Sequence, residues 1–208
     1  MGTAATLSGM PFARNLIVLI LCLLIPACGR ADQDEALLIK PLIEPAKLQT
    51  LGDRGANPRI QKATAILWQA KSRGKDPAKI AGRAVELIGW KDTEKGRMTA
   101  DALVRNLTIA ERLGSVTDED IAEMARGRAA TVRAGPYKGQ VLSVDHIIPR
   151  AVAPELDNVI ANLELMPLAL NQGKGDKVTS RQVALARKLH AEGMLSAAGL
   201  ARVLAEAK

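Results

Sequence analysis

The stretch Val144–Lys177, VDHIIPRAVAPELDNVIANLELMPLALNQGKGDK, decides how this chain is read. Just before and into it, Gln140 to Val144 alternates polar and apolar residues as a half-buried strand does, and runs straight into Asp145-His146. A loop with Pro149 and Pro154 follows. Leu163 to Met166 reads as a second short strand, and Pro167 opens a helix that carries Asn171. Strand, loop, strand and helix therefore present four polar residues, Asp145, His146, Asn162 and Asn171. A carboxylate and an amide oxygen can hold a hard divalent cation, and a neutral imidazole can take a proton from water near neutral pH. Neighbours on an extended strand point to opposite faces, so Asp145 and His146 can serve two positions from one strand end. The chain has only two histidines, and His190, just before Glu192-Gly193, reads as a solvated helix-end residue.

Upstream, Ala130 to Arg133 and the turn Gly135-Pro136-Tyr137-Lys138-Gly139 predict a hairpin leading into the first strand. Residues 59–127 read as helices. Apolar residues recur at three- and four-residue steps from Ile60 to Ala70, Asp76-Pro77 starts a second helix that Gly89 closes, and a third carries Leu103, Leu107 and Ala110. Thr117 with three following acids starts a fourth. Residues 29–58 hold Pro41, Pro45, Pro58, Gly52 and Gly55 and predict a linker or tether. Downstream, residues 179–208 predict two C-terminal helices. Trp68 and Trp90 fall in helical segments and read as packing residues, Asn158 as a turn residue.

Residues 1–28 have the layout of an export signal: Arg14, then the apolar run LIVLILCLLIPAC ending at Cys28. Ile25-Pro26-Ala27-Cys28 resembles the lipobox of bacterial lipoproteins, which would make Cys28 the lipidated residue. An ordinary cut after Ala31 and an uncleaved anchor are the competing readings. Both cysteines lie within these 28 residues, so the body has neither a disulfide nor a cysteine zinc site. The chain is basic, +7 over 208 residues, and attracts polyanions, nucleic acid and anionic lipid surfaces alike. Four aromatic residues in all, two Trp, one Tyr and one Phe, argue against a base-stacking platform.

The motifs D-H-I-I-P-R, A-N-L-E-L-M-P and L-N-Q-G-K-G-D-K resemble the HNH endonucleases in the variant whose last signature residue is asparagine. The resemblance covers residues 128–178, and its signature positions are 16 and then 9 residues apart. It implies an α+β, mostly helical chain: a small ββα-metal motif flanked by N-terminal and C-terminal helices. It also implies roles. His146 resembles the general base, Asn162 the residue that orients the histidine ring, and Asp145 and Asn171 the protein ligands of one divalent metal. Oxygen ligands favour Mg²⁺ or Mn²⁺. Many relatives brace the motif with a structural zinc in paired Cys-x-x-Cys sequences. None is present, so no structural zinc is expected, and the flanking helices must supply the support. Lys174, Lys177 and Arg150 are candidates for contacts to nucleic-acid phosphate, with Arg150 equally able to pair with Glu155 or Asp157. The expected function is hydrolysis of DNA phosphodiester bonds by an exported enzyme, lipid-anchored or periplasmic, on double-stranded DNA with low sequence specificity. The alternatives are an exported, non-catalytic envelope or nucleic-acid-binding module that keeps the same fold, and a cytoplasmic nuclease if the apolar N-terminus is not a true signal.

Overall fold

A computed structural model describes residues 1–2, 28–175 and 177–207. The expected export signal falls on 3–27 and lies outside the described residues. The order is α1 (Cys28–Ile43), α2 (Pro45–Leu48), α3 (Asn57–Ser72), α4 (Pro77–Leu87), α5 (Glu94–Arg112), α6 (Asp118–Ala125), β1 (Leu142–His146), β2 (Leu163–Pro167), α7 (Leu168–Lys174), α8 (Ser180–Ala191) and α9 (Ala197–Glu206). The fold is α+β and mostly helical, with one two-stranded antiparallel sheet among the described residues.

The helix starts follow from side-chain oxygens that satisfy otherwise orphaned N–H groups. Asp76 accepts from Ala78, Thr93 from Gly96 and Thr117 from Asp120. Residues 29–58 are not the tether that their prolines and glycines suggested. Half of this stretch is α1, which packs against α3 and α4 through buried Ala36, Ile39 and Ile43, while Pro41 is confined to its last turn. Glu35 locks α1 down by accepting from Arg73 at 2.8 Å and Lys75 at 2.5 Å. Burial pushes the Glu35 carboxyl up, and these two cations more than offset it, so its pKa lies below the usual value.

The expected hairpin before β1 is only partly formed: Thr131 and Val141 make an isolated bridge rather than a ladder. β1 and β2 pair in the register Val144↔Leu165, Asp145↔Glu164 and His146↔Leu163. A two-stranded sheet has two open edges, and here helix amides cover them. Gln61 of α3 donates to the Leu142 carbonyl at 3.1 Å. Asn106 of α5 donates to the Leu163 carbonyl at 3.2 Å and accepts from the Leu165 N–H at 2.7 Å. Leu142, Val144, Leu163 and Leu165 join the core built by α1 and α3 to α6.

A second core lies on the other side of the loop joining the strands. Ile148, Val152, Ala153, Leu156 and Ala161 of that loop are buried with Val178, Ala186, Leu189, Leu195 and Val203. The C-terminal helices thus hold a long inter-strand loop by apolar burial. Glu155 ties the same loop to the start of α9, accepting from the Ser196 N–H and hydroxyl at 3.2 and 2.9 Å. It approaches so closely that a Cβ at Gly199 would collide with its carboxylate.

Candidate functional site

The end of β1, the loop after it and α7 enclose an open cleft of about 760 Å³, and the segment 53–54 forms its far wall. Asp145, His146, Asn171, Lys174, Arg150 and Asp157 all line it. Strand alternation turns Asp145 toward α7 and His146 toward the inter-strand loop, so the two side chains meet different partners. The sequence therefore places Asp145, His146 and Asn171 together, as expected.

His146 is buried, and its ring is held by a residue that the sequence reading did not single out. Nε2 lies 3.0 Å from the backbone carbonyl of Asp157 and 2.9 Å from the same residue's Oδ1. Both neighbours only accept, so Nε2 carries the proton and Nδ1 keeps its lone pair in the neutral ring. The N–H is directed at the carbonyl; Oδ1, also buried, makes no hydrogen bond of its own. Asp157 Oδ2 accepts from the Arg54 N–H at 2.8 Å. One aspartate therefore fixes both the histidine ring and the far wall of the cleft.

Asn162 does not touch the histidine ring. Fully buried, it accepts from the Ile148 N–H at 2.8 Å and donates to the Ile148 carbonyl at 3.1 Å, while its own carbonyl accepts from Ile147 at 2.7 Å. This corrects the role read from the sequence: Asn162 fastens the backbone that leaves His146, and Asp157 holds the ring.

Around Asp145 three oxygens converge on one positive charge. Lys174 Nζ sits 2.6 Å from Asp145 Oδ2, 2.5 Å from the His146 carbonyl and 3.1 Å from the Ile147 carbonyl. Lys174 occupies the last turn of α7, and Gly175, at φ +61°, turns the chain away behind it. The reading of Lys174 as a phosphate contact is thus replaced in this state by an ion pair with Asp145. Asn171 Nδ2 donates to Ser143 Oγ at 3.1 Å and lies 3.4 Å from the Val144 carbonyl. A carbonyl accepts only, which puts the amide nitrogen there and leaves Oδ1 as the possible ligand atom. Among the described residues no three His, Cys, Asp or Glu side chains converge. One carboxylate oxygen and two backbone carbonyls instead hold the Lys174 ammonium, an all-oxygen set that the Asn171 amide oxygen could extend. That chemistry fits a hard cation such as Mg²⁺ or Mn²⁺ and not Zn²⁺.

Arg150 is paired rather than free: NH1 lies 2.8 Å from Asp53 and 3.6 Å from Asp157. The hydrogen bond to Asp53 pushes its pKa up. Asp157, not Glu155, is thus one of its partners. Lys177 is exposed and takes no part in lining the cleft. Asn158 bridges instead of turning alone, donating to the Gly52 carbonyl at 3.2 Å and accepting from the Ala56 N–H at 2.9 Å. His190 is structural, with Nδ1 2.9 Å from the Leu195 carbonyl, and Trp68 donates to the Val116 carbonyl at 2.9 Å. No protein-family model, curated protein or solved structure matches this chain.

Proposed function

We propose that this protein is a metal-dependent nuclease of the HNH type, hydrolysing phosphodiester bonds in double-stranded DNA. The observation that carries the reading is the juxtaposition in one cleft of an imidazole whose Nε2–H is fixed by Asp157 and an oxygen cluster at Asp145 that already binds a cation. His146 Nδ1 takes a proton from water. The water oxygen forms a bond to phosphorus, and the bond from phosphorus to the 3′ oxygen breaks. The departing oxygen acquires a proton from solvent, leaving 5′-phosphate and 3′-hydroxyl ends. A divalent cation held by Asp145 and Asn171 would supply positive charge to the phosphate and the leaving oxygen. Asp157 keeps the imidazole in the reactive tautomer, and Asn162 keeps the backbone beyond it in place.

A plasmid assay tests this directly. The full-length chain is expected to nick and linearise supercoiled DNA in Mg²⁺ or Mn²⁺ and to stop when the metal is chelated. Intact plasmid under every metal condition would leave the second reading, a non-catalytic nucleic-acid-binding module. One observation favours that reading: the Lys174 ammonium is paired 2.6 Å from Asp145 Oδ2, the carboxylate that a metal ion would need.

Under the nuclease reading Lys174 and the metal ion compete for the same carboxylate. Lys174→Met is then expected to bind Mn²⁺ several-fold more tightly than the unmodified chain in calorimetric titration. Weaker binding would instead make Lys174 a support of the site. We also propose, from the pattern of residues 1–28 alone, that the protein is exported to the cell envelope, with Cys28 as the anchoring residue.

A further inference from the structure

The cleft has no surplus of positive charge. Its three acids, Asp53, Asp145 and Asp157, match its three bases, Arg54, Arg150 and Lys174. A polyanion approaching it would meet mostly neutralised pairs, because Lys174 is spent on Asp145 and Arg150 on Asp53 and Asp157. Arg54 differs. Its side chain is exposed and its guanidinium makes no hydrogen bond or ion pair among the described residues.

Its position, by contrast, is fixed. The Arg54 N–H donates to Asp157 Oδ2, and on either side of it Asn158 ties down Gly52 and Ala56. Arg54 also adopts φ +55°, a left-handed conformation that glycine or asparagine takes more easily than arginine. A long cationic side chain is thus held at a turn whose backbone does not favour it, on the aspartate that also holds His146.

We propose that Arg54 is the phosphate-gripping cation of the cleft, engaging a backbone phosphate of the nucleic acid whose neighbouring linkage faces His146. The proposal rests on the nuclease reading. A guanidinium with free N–H groups suits this task, since it can give two parallel hydrogen bonds to phosphate oxygens.

The test is binding of a fluorescent DNA duplex to the full-length chain, followed by anisotropy in a chelator over a series of salt concentrations. Arg54→Ala is expected to weaken binding about 3- to 10-fold irrespective of sequence, and to reduce the slope of log affinity against log salt by about 0.9, one phosphate contact. Lys79→Ala, which removes the same charge from an exposed site on α4 outside the cleft, is expected to change both much less. Equal losses in the two variants, or an Arg54→Ala chain with unaltered affinity and slope, would overturn the assignment while leaving the nuclease reading intact. An unmodified chain that binds no duplex at any salt would overturn both.

Discussion

Replacing His146 by alanine is expected to lower the turnover number for plasmid cleavage by about 10²- to 10⁴-fold, the usual worth of a positioned general base. The duplex affinity should stay within about twofold. The size of the effect follows from the cleft's composition. Its other bases are cations, two of them already paired, and its carboxylates are held elsewhere: Asp145 by Lys174, Asp53 by Arg150, and Asp157 with Oδ2 on the Arg54 N–H and Oδ1 buried 2.9 Å from the imidazole Nε2. Nothing else there is placed to accept a proton from water. Free imidazole added to the variant should restore part of the rate, because the substitution empties a buried ring-sized space beside the Asp157 carbonyl. Undiminished cleavage by His146→Ala would refute the mechanism outright.

Asn162→Ala is expected to destabilise the fold by about 2–4 kcal/mol, because it strands the Ile148 N–H and carbonyl, each a buried polar group worth about 1–3 kcal/mol when left unpaired. For a chain of this size that lowers Tm by roughly 5–15 °C, measurable by thermal denaturation monitored by circular dichroism. Asn162→Asp should be at least as damaging, since it keeps the acceptor for Ile148 but sets a second oxygen against the Ile148 carbonyl. These effects separate the two roles available to this residue. If Asn162 oriented the ring, activity would fall with little change in Tm. A residue that fastens the loop loses both together, and an unchanged Tm would count against the hydrogen bonds seen here.

The parts of the fold that could be read in the sequence are those set by local chemistry. Asp76 and Thr117 each sit where a helix start needs an oxygen, and each is used that way. The alternation through Gln140–Val144 and the Leu-Glu-Leu-Met of residues 163–166 mark the two strands that pair. In α1, prolines outweighed a periodicity that was present all along: Ala36, Ile39 and Ile43 recur at helical spacing and are buried, but Pro41 and Pro45 made the stretch look broken. Pro41 forfeits one intrahelical N–H bond near the end of α1, a cost that the buried Ala36, Ile39 and Ile43 offset. The long-range anchors of α1, Glu35 with Arg73 and Lys75, have no local signature.

The site divides in the same way. Asp145, His146 and Asn171 are positioned by elements with a period, and they meet as expected. Asp157 and Arg54 belong to loops, whose side-chain directions follow from no repeat, and both were missed. The roles given to Asn162, Lys174 and Arg150 shifted because each depends on which neighbour the loop brings within reach. An Asp-Asn pair eleven and twelve residues after the histidine was the one available hint. Short polar side chains at a loop end are well suited to binding backbone from elsewhere.

The far wall of the cleft is drawn from a part of the chain 102 to 103 residues upstream of the residues that hold it, Asp157 and Asn158. Contacts so distant in sequence are costly to close before cooperative packing supports them, so they belong among the late events of folding. The histidine loop and the wall that would grip the substrate therefore come together only in the finished molecule. A nascent chain in which this span has not yet closed would carry Asp145, His146 and Asn171 and lack the cleft. Under the nuclease reading, that delay would spare the DNA of the cell that makes the protein.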